Sequence, residues 1–576
     1  MSDTALLFLT PPFVFLAGAL VLLALPAVLR AVVMIATPLV GLYLLWPLFG
    51  QPPSDDLIVR LAGFDLSLAR VDGLSLAFGT VFCVAAALAA LYSWNMRDRT
   101  QQVAALLYAG AALGAVFAGD LVTLFVWWEV TALGSVFLIW ARATEAAYAA
   151  GMRYLVVQVT SGVALFAGVA IHIQTTGSTA FEQLALGDFD ATPGAWIILF
   201  AFAIKAGFPL LNGWLSDAYP AGTVTGTVFM SIFTTKMAIY ALARGYPGTD
   251  WLVWIGAAMA LTPIVLALLE DDIRRILAYA LNSQLGFMVV GIGIGTPESL
   301  DGTVAHAVCS VLYQALLFMG AGAILHRNGS ARISSLPQGP LWRSMPITFA
   351  LLLVGAASIA AVPGLSGFVS KAIIIDQTAK AGLTLPWIAL VVGSAGAVMH
   401  TALRIPVALW TRGEGLREAP VSMLFAMGLT AAACLAIGLA PGLLYARLPF
   451  SIEYHPYTVS HFVSQFQLLA FAALAFAGAM ALGLIGAHRR ATTIDTDWVY
   501  RGVLGPFFVF VAQTIGVLYG EAGRGAGWLR GKALNVIHRA YGPQSRAAGA
   551  LPTGNMALWI AILLGAALFA NLLDIR

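Results

Sequence analysis

Five ionisable residues lie inside long apolar runs of the sequence: Glu129, Lys205, Lys236, Lys371 and Arg404. A charge at the centre of a bilayer costs from about 3 to more than 10 kcal/mol on an isolated helix, so such groups persist where they pair, face water or lose their charge. Buried ionisable groups of this kind indicate proton or ion transfer across the membrane. An arginine stays protonated and supplies only an electric field, so the three lysines and the glutamate are the candidates for titrating groups.

These lysines can pass protons along the membrane because their charge depends on their surroundings. A lysine beside Glu129 keeps its proton, since the anion favours the cation, whereas a desolvated amine without that anion favours the neutral form. Each protonation then biases the next through like-charge repulsion. We expect this chemistry to need neither a cofactor nor a metal ion. The alternative role for Glu129 is a structural ion pair with a lysine.

Two of the lysines stand beside residues that break helices. Lys205 precedes a glycine at 207 and a proline at 209, and Lys371 follows Pro363-Gly364. Broken helices in transporters mark ion paths. Lys236 lies eight residues before Arg244. That spacing is about 12 Å along a helix, which is too deep for easy snorkelling to the surface.

A histidine extends the set of candidate residues. Ser310 and Gln314 follow His306 at i+4 and i+8, so the three share a helical face that can hold a chain of water molecules. His400 also lies in an apolar run. The alternative role for either histidine is a hydrogen-bonded packing residue.

The composition indicates a polytopic membrane protein. The chain has 576 residues, of which 60% are hydrophobic and 10% charged, with a net charge of +3 and a mean hydropathy of +0.88. Soluble domains carry about 25% charged residues, so these values exclude a soluble enzyme, a nucleic-acid-binding protein and a disordered chain. The sequence has no Walker motif, CxxC set, HExxH motif or credible dinucleotide fingerprint. We therefore expect no redox or nucleotide chemistry on this chain.

Sixteen apolar segments are long enough to cross a bilayer as helices, which takes about 20 residues each. Their approximate ranges are 5–25, 29–49, 73–94, 103–118, 121–141, 153–173, 195–218, 223–244, 252–270, 274–295, 302–326, 345–380, 386–411, 421–444, 465–487 and 555–574. The twelfth contains Pro363-Gly364, which predicts two half-helices. Alternating apolar residues over 56–71 predict a short amphipathic hairpin outside the bilayer.

The basic residues between these spans predict the orientation. With the N-terminus outside, 20 lysines and arginines fall on the cytoplasmic side and six on the opposite side. The positive-inside rule therefore predicts a multi-pass protein of a bacterial cell membrane with an external N-terminus. Residues 491–554 are basic and Gly-rich around an apolar middle. They predict a helix on the cytoplasmic membrane surface or against a neighbouring subunit, with a linker as the alternative.

Four stretches resemble the antiporter-like subunits shared by Mrp-type cation/proton antiporters, respiratory complex I and membrane-bound hydrogenases. They are FVWWE at 125–129, the segment from Lys205 through WLSDAYP at 214–220 to Lys236 and Arg244, DIRRILAY at 272–279 with SQLG at 283–286, and PGLSGFVSK at 363–371. Together they cover about residues 70–410. The segment DWVYR at 497–501 further resembles the D-type branch of the Mrp-type antiporter family.

The resemblance implies a fold and a set of roles. It implies an all-α polytopic membrane protein of about 14–16 transmembrane helices, with two inverted five-helix repeats that each contain a broken helix and a lateral water path. Matched residue by residue, it implies an ion pair of Glu129 and Lys205, a relay at Lys236, a connecting histidine at His306 and an exit-side lysine at Lys371.

The sequence departs from the family pattern at three positions. Asn212 stands where a histidine is common, and Ser310 and Gln314 stand where a histidine and a lysine are common. An amide cannot accept and release a proton at ordinary pH. The path between Lys236 and Lys371 therefore depends on water and a histidine, or it is interrupted.

We expect six divisions of the chain. They are N-terminal helices with the hairpin at 1–95, a first repeat at 100–245, a second repeat at 250–412, C-terminal helices at 420–490, the amphipathic or linker segment at 491–554 and a final transmembrane helix at 555–576.

Three functional hypotheses follow. The first is a proton-translocating subunit of a multisubunit cation/proton antiporter, with Na+ as the expected cation. The second is a proton-pumping membrane subunit of a redox complex of the NADH-quinone oxidoreductase or hydrogenase type. The third, suggested by Gln314, is a structural subunit that has lost conduction. Each predicts other membrane subunits as partners and no nucleic acid.

Overall fold

The computed structural model describes residues 10–483, except 62, 185 and 451, together with a few scattered residues after 512. The chain forms two compact units, Met1–Asp497 and Trp498–Arg576. Nearly all described residues belong to the first unit. Four predicted features lie wholly or mostly outside the described residues: the start of the first span, most of the 491–554 segment, the resemblance at 497–501 and nearly all of the final span at 555–574.

Two helices and a β-hairpin open the first unit. Helices α1 (Pro11–Ala24) and α2 (Ala27–Leu45) precede strands β1 (Ser54–Leu61) and β2 (Phe64–Val71), which pair antiparallel. This confirms the hairpin predicted at 56–71. Helix α3 (Gly73–Tyr92) follows at once, because the Asp72 carboxylate caps it by accepting the Ser75 N–H at 2.9 Å.

Seven helices follow, and the fourth of them ends inside the bundle. They are α4 (Arg99–Phe117), α5 (Leu121–Trp140), α6 (Glu145–Thr176), α7 (Pro193–Ala206), α8 (Gly213–Ala221), α9 (Gly226–Ile232) and α10 (Thr234–Gly245). Helix α7 ends because Gly207 adopts a left-handed conformation, with φ of 72°. Pro209 then cannot continue the helix.

The next group of helices also contains a break. It comprises α11 (Asp250–Leu269), α12 (Ile273–Ile294), α13 (Pro297–Asn328), α14 (Leu341–Ser344), α15 (Pro346–Ile359), α16 (Ser366–Lys380), α17 (Thr384–Ala397), a π-helical turn at Val398–Leu403 and α18 (Arg404–Thr411). Residues 360–365 separate α15 from α16, and Gly364 has φ of 89°. This confirms the two half-helices predicted for the twelfth span. Helices α19 (Val421–Leu439), α20 (Gly442–Tyr445) and α21 (Val459–Ala481) complete the unit.

The architecture is that of an all-α polytopic membrane protein, as predicted. Among the described residues, 12 helices are long and apolar enough to span a membrane, and three shorter apolar helices accompany them. Two of the shorter ones, α7 and α15, are the first halves of broken helices. Consecutive spans alternate in direction, so the hairpin, the start of α3 and the end of α19 lie on one side of the membrane, here called the hairpin side.

The centre of the bundle is formed by α9–α10, α12 and α13, whose apolar windows are entirely buried. Helices α11 and α12 pack closely because each has a glycine at the contact. A Cβ at Gly256 would lie 2.6 Å from the Val290 nitrogen, and one at Gly286 would lie 2.5 Å from the Ala260 nitrogen. Such small residues allow membrane helices to approach. Of the site described next, the central helices carry Lys236 and His306.

Candidate functional site

Lys205 lies in the last turn of α7, where this helix breaks. Its amine is buried and donates to the Trp128 carbonyl oxygen at 2.6 Å and to the Thr131 hydroxyl at 2.8 Å. It also lies 4.6 Å from the centre of the Trp128 ring, in a cation–π contact. The negative end of the α7 dipole favours a cation here. A main-chain carbonyl, a hydroxyl and an aromatic ring therefore hold this lysine.

Glu129 lies on α5 immediately after that carbonyl, but it makes no direct ion pair with Lys205. Within the described part of the chain, its Oε1 atom is buried without a hydrogen-bond partner. The direct pair implied by the resemblance is not formed here, because Trp128 and Thr131 already bind the amine. The two charges interact electrostatically at longer range.

A glycine on α6 makes room for the Glu129 carboxylate. A Cβ at Gly162 would lie 1.1 Å from Glu129 Oε1. The neighbouring Ser161 accepts the Trp128 indole N–H at 3.0 Å and donates to the Ala201 carbonyl at 2.7 Å, which ties α5, α6 and α7 together. Sequence reasoning missed these positions, since neither a glycine nor a serine in an apolar run indicates which helix it faces.

Hydroxyl groups lead from this site toward α10. Ser135 donates to the Thr131 carbonyl at 2.6 Å, and its hydroxyl lies 2.7 Å from that of Tyr154. The Tyr154 hydroxyl interacts with Thr234, whose own hydroxyl lies 2.5 Å from that of Tyr108. Hydroxyls both donate and accept, so those of Ser135, Tyr154, Thr234 and Tyr108 can pass protons among themselves. The link from Ser135 to the Lys205 site runs through a main-chain carbonyl, which has no proton to hand on, so water is needed to complete the route there. Sequence reasoning missed it because its members lie on four helices with no regular spacing.

Lys236 lies in the first turn of α10, just after an interruption between α9 and α10. Phe233, with φ of −99° and ψ of −67°, separates the two helices. The buried Lys236 amine donates to the Ser231 carbonyl at 2.9 Å. The Thr235 hydroxyl next to it is buried, with no partner among the described residues. A main-chain carbonyl at an interrupted helix therefore binds this lysine as well.

Lys371 has the same kind of environment in the second group of helices. Its buried amine donates to the carbonyl of Ile359, the last residue of α15, at 2.6 Å, and lies 5.2 Å from the centre of the Phe287 ring. The end of a helix leaves such carbonyls without intrahelical donors. The break between α15 and α16 thus binds Lys371 through a carbonyl of the broken helix itself, whereas the carbonyl that binds Lys205 belongs to Trp128 in the unbroken helix α5.

His306 on α13 lies beside Lys371. Its Nδ1 atom is 3.1 Å from the Ser370 hydroxyl, and its ring centre is 5.8 Å from that of Phe287. Its Nε2 atom is buried with no hydrogen-bond partner in the described part of the chain. Both Lys236 and Lys371 act electrostatically on the imidazole. This histidine therefore lies within electrostatic range of Lys371 and of Lys236.

Further buried polar atoms lack hydrogen-bond partners on the same helices. Among the described residues they include side-chain atoms of Gln158, Asn282, Gln284, Gln314, Ser366, Ser394 and His400. Buried polar groups are almost always bonded to protein or to ordered water. Water is therefore the partner that fits these amides and hydroxyls. Gln314, whose amide oxygen and nitrogen are both unpartnered, can bind water without itself titrating.

Three half-buried charged residues have structural partners. Arg404 donates to the Ala267 carbonyl at 2.5 Å. Asp217 pairs with Arg153 at 2.7 Å, and Asp376 pairs with Lys380 at 2.8 Å. These contacts involve none of Lys205, Lys236 and Lys371.

An ion-pair cluster on the hairpin side fixes the far end of α10. Asp72 contacts Arg244 at 2.8 Å and Arg70 at 3.3 Å. Burial raises the pKa of Asp72, but Arg244, the Ser75 N–H and Arg70 outweigh it and hold the pKa below its ordinary value. Arg244 is two helical turns from Lys236, so this cluster anchors the helix that carries the lysine.

Comparison with known families gives a match over the middle of the chain. Residues 118–399 match the family described as NADH:quinone oxidoreductase/Mrp antiporter, transmembrane. A probable K+/H+ antiporter protein of the A/B type from Rhizobium meliloti is 32% identical over 338 residues, covering 55% of this chain and 33% of the relative. The A-type protein of the Na+/H+ antiporter of Alkalihalophilus pseudofirmus is 30% identical over 338 residues, covering 52% and 41%. The chain thus spans between a third and a half of these relatives' length. Both relatives carry A-type names, whereas residues 497–501 resemble the D-type branch.

Solved structures share the fold. The Mrp complex from Dietzia contains a chain with a TM-score of 0.68 and 22% identity, and the alignment covers 81% of this chain and 100% of that one. A chain of the membrane-bound sulfane sulfur reductase, an archaeal respiratory membrane complex, has a TM-score of 0.69 and 22% identity, with coverage of 97% and 99%. The fold is therefore common to an antiporter complex and a respiratory complex.

Proposed function

Because this chain belongs to the antiporter-like membrane subunit family, we propose that it is the proton-translocating subunit of a multisubunit cation/proton antiporter. The observation that carries this proposal is the repeated environment of Lys205 and Lys371. Each is a buried amine bound by a main-chain carbonyl and an aromatic ring at a broken helix. A structural lysine would be expected to have a carboxylate partner instead.

The proposed mechanism moves protons between these amines. Approach of the Lys205 amine to Glu129 stabilises its protonated form further, and loss of that anion leaves only the weaker Trp128 carbonyl and ring, so that release becomes easier. The released proton passes through hydroxyls and water to Lys236, and then through His306 to Lys371. Each transfer changes the field at the next amine, because few screening ions reach buried charges. The roles of Glu129, Lys205, Lys236, His306 and Lys371 are thus those of a relay.

The counter-ion and the partners form part of the same proposal. We propose Na+ as the exchanged cation, supported by the name of the Alkalihalophilus relative, with K+ as the competing cation named for the Rhizobium relative. The partners are further membrane subunits in a bacterial cell membrane. The proposed N-terminus is external, which agrees with the distribution of basic residues.

A second candidate function is proton pumping within a redox complex. The family description includes NADH:quinone oxidoreductase, and one structural neighbour belongs to a respiratory membrane complex. The third candidate, a non-conducting structural subunit, is favoured by Gln314 in the middle of the path. Antiport that is driven by an imposed ion gradient, without any electron donor, separates the first candidate from the second.

The test is ion exchange by the full chain together with its neighbouring membrane subunits in proteoliposomes. We expect Lys205→Ala, Lys371→Ala and Glu129→Gln each to reduce Na+-driven proton flux by about tenfold or more, since each removes a titrating group. Lys205→Arg retains the charge but holds its proton, so it too loses flux. Lys380→Ala is the control, because this lysine is mostly exposed and pairs with Asp376. Normal flux in both Lys205 variants excludes the relay and favours the structural role.

A further inference from the structure

An apolar cavity on the hairpin side lies away from the lysines and histidine described above. Its volume is about 270 Å³, and its walls come from α3, α13, α19, α20 and the turns beside them. We name it the α3–α19 cavity. Almost all of its lining is aliphatic, and two polar groups interrupt it, Thr80 and Arg447. A dry cavity of about 150 Å³ already binds benzene-sized molecules, so this one can hold a larger apolar group.

The cavity runs along the membrane normal. On α3 its lining extends from Ala77 to Val84, and on α13 it includes Val308 and Leu312. Seven residues of helix correspond to about 10 Å. One leaflet of the hydrocarbon core is about 15 Å thick, half of the full core. The cavity therefore has the depth and direction of part of one lipid acyl chain.

A cation stands at the mouth of this cavity. The Arg447 guanidinium is exposed and lies 4.5 Å from the centre of the Trp46 ring and 5.1 Å from that of Phe49. No ion pair to Arg447 occurs within the described residues. The two rings orient a guanidinium that retains its N–H donors for a planar or tetrahedral anion.

Thr80 is the second polar residue of the lining. Its hydroxyl oxygen is inaccessible to solvent, so it offers no donor to a ligand in the cavity. Arg447 is therefore the polar group that can select the headgroup of an acyl chain bound there.

We propose that the α3–α19 cavity binds one acyl chain of an anionic phospholipid whose phosphate contacts Arg447. A neighbouring transmembrane helix is about 10 Å wide with its side chains, and it is too wide for this cavity. A zwitterionic lipid offers the same chain but a weaker net attraction to the guanidinium. The ligand class is therefore a phospholipid of net negative charge, bound independently of proton transfer.

The experiment compares lipid retention by the purified full chain. The protein is reconstituted in phosphatidylcholine vesicles with and without phosphatidylglycerol, re-extracted in mild detergent and analysed by native mass spectrometry. We expect phosphatidylglycerol to be retained preferentially, and Arg447→Ala to weaken its binding by about tenfold, as loss of one charge-assisted contact does. Arg60→Ala is the matched control, since Arg60 is an exposed arginine of the hairpin on the same side.

A cavity-filling variant tests whether the acyl chain of the lipid occupies the cavity. Ala433→Phe places a ring in the cavity wall and is expected to abolish retention while Arg447 remains. Equal retention of both lipids, or unchanged retention in Arg447→Ala, overturns the proposal. Binding of added oleate in place of phosphatidylglycerol overturns the phospholipid assignment in favour of a free fatty acid. A photo-crosslinker is also placed at Leu443, with the neighbouring subunits present. The proposal requires a lipid adduct. A protein adduct overturns it and assigns the cavity to a partner protein.

Discussion

Single residues determine where the buried lysine amines of this protein are bound. Lys205 and Lys371 are bound by the Trp128 and Ile359 carbonyls at 2.6 Å each. A carbonyl is a weaker partner for a cation than a carboxylate, so neither amine is locked in the charged state. Glu129, when ionised, supplies a negative charge nearby without binding the amine directly. A lysine in this position can change its charge with small movements of its side chain.

Gly162→Ala tests the position of Glu129. The new methyl group would lie 1.1 Å from the present Oε1 position, so the carboxylate must move away while its chemistry is unchanged. We expect proton flux to fall by about tenfold, comparable to Glu129→Gln, because the field at Lys205 is altered. The control is Gly478→Ala on α21, where a Cβ meets nothing within 4 Å. Flux equal to that of the control would contradict a role for the position of the Glu129 carboxylate beside Gly162.

Interrupted helices supply the carbonyl partners of two of the three lysines, at Ser231 for Lys236 and at Ile359 for Lys371. Lys205 is bound instead by a carbonyl of the unbroken helix α5. The breaks after Ala206 and Ile359 could be predicted, since glycine and proline report helix ends locally. The interruption at Phe233 could not be predicted, because it has neither residue at its centre. It depends on the Tyr108 hydroxyl, which accepts the Thr234 N–H at 3.0 Å from another helix.

Tyr154→Phe tests the hydroxyl chain between the first two lysines. The ring is retained, and only the hydroxyl that contacts Ser135 at 2.7 Å is removed. We expect stability to fall by about 1 kcal/mol, the usual value of one hydrogen bond, and proton flux to fall several-fold. Tyr246→Phe is the control, since the Tyr246 hydroxyl donates to the Ala195 carbonyl at 2.6 Å and is not part of this series of hydroxyl groups. Equal flux in the two variants would exclude the hydroxyls as a route.

Asp72→Asn tests the anchor between the hairpin and α10. Asparagine still caps α3, so the variant removes the charge facing Arg244 and leaves the cap. We expect a loss of about 2–3 kcal/mol at neutral pH, below the range for fully buried pairs because Asp72 is partly exposed. The folded-state pKa of Asp72 is lowered, so its stabilisation is complete above the unfolded value of about 3.9 and disappears as the pH falls through the folded value.

The measurement is the melting temperature in detergent from neutral to acidic pH. The difference between wild type and Asp72→Asn should be complete above about pH 4 and should decline below it, vanishing only when the pH has fallen through the lowered folded-state pKa of Asp72. Asp98→Asn is the matched control, because Asp98 caps α4 through the Thr100 N–H at 3.0 Å without an ion pair in the described residues. A difference that persists in acid would mean that the charge of Asp72 does not stabilise the fold.

Across the whole molecule, hydropathy could predict the spans, and the cost of burying charge could predict which residues are functional candidates. The fold class and the positions of Lys205, Lys236 and Lys371 in the interior follow from these local rules. The contact between Glu129 and Gly162 could not be predicted, since it depends on which faces of α5 and α6 meet. An apolar sequence does not determine the rotation of a helix about its own axis, because lipid and the interior of the helix bundle favour the same residues.

The depth of these cations also determines how the protein responds to dissolved electrolyte. Ions in solution screen exposed charges over about 8–10 Å but reach buried ones far less, and Lys205 is completely buried. Choline chloride should therefore leave the turnover of the reconstituted assembly nearly unchanged. Sodium chloride at equal ionic strength should change it if Na+ is transported, which can be followed with a pH-sensitive dye. Equal responses to both salts would attribute any dependence to screening at the membrane surface and would remove sodium as the exchanged species.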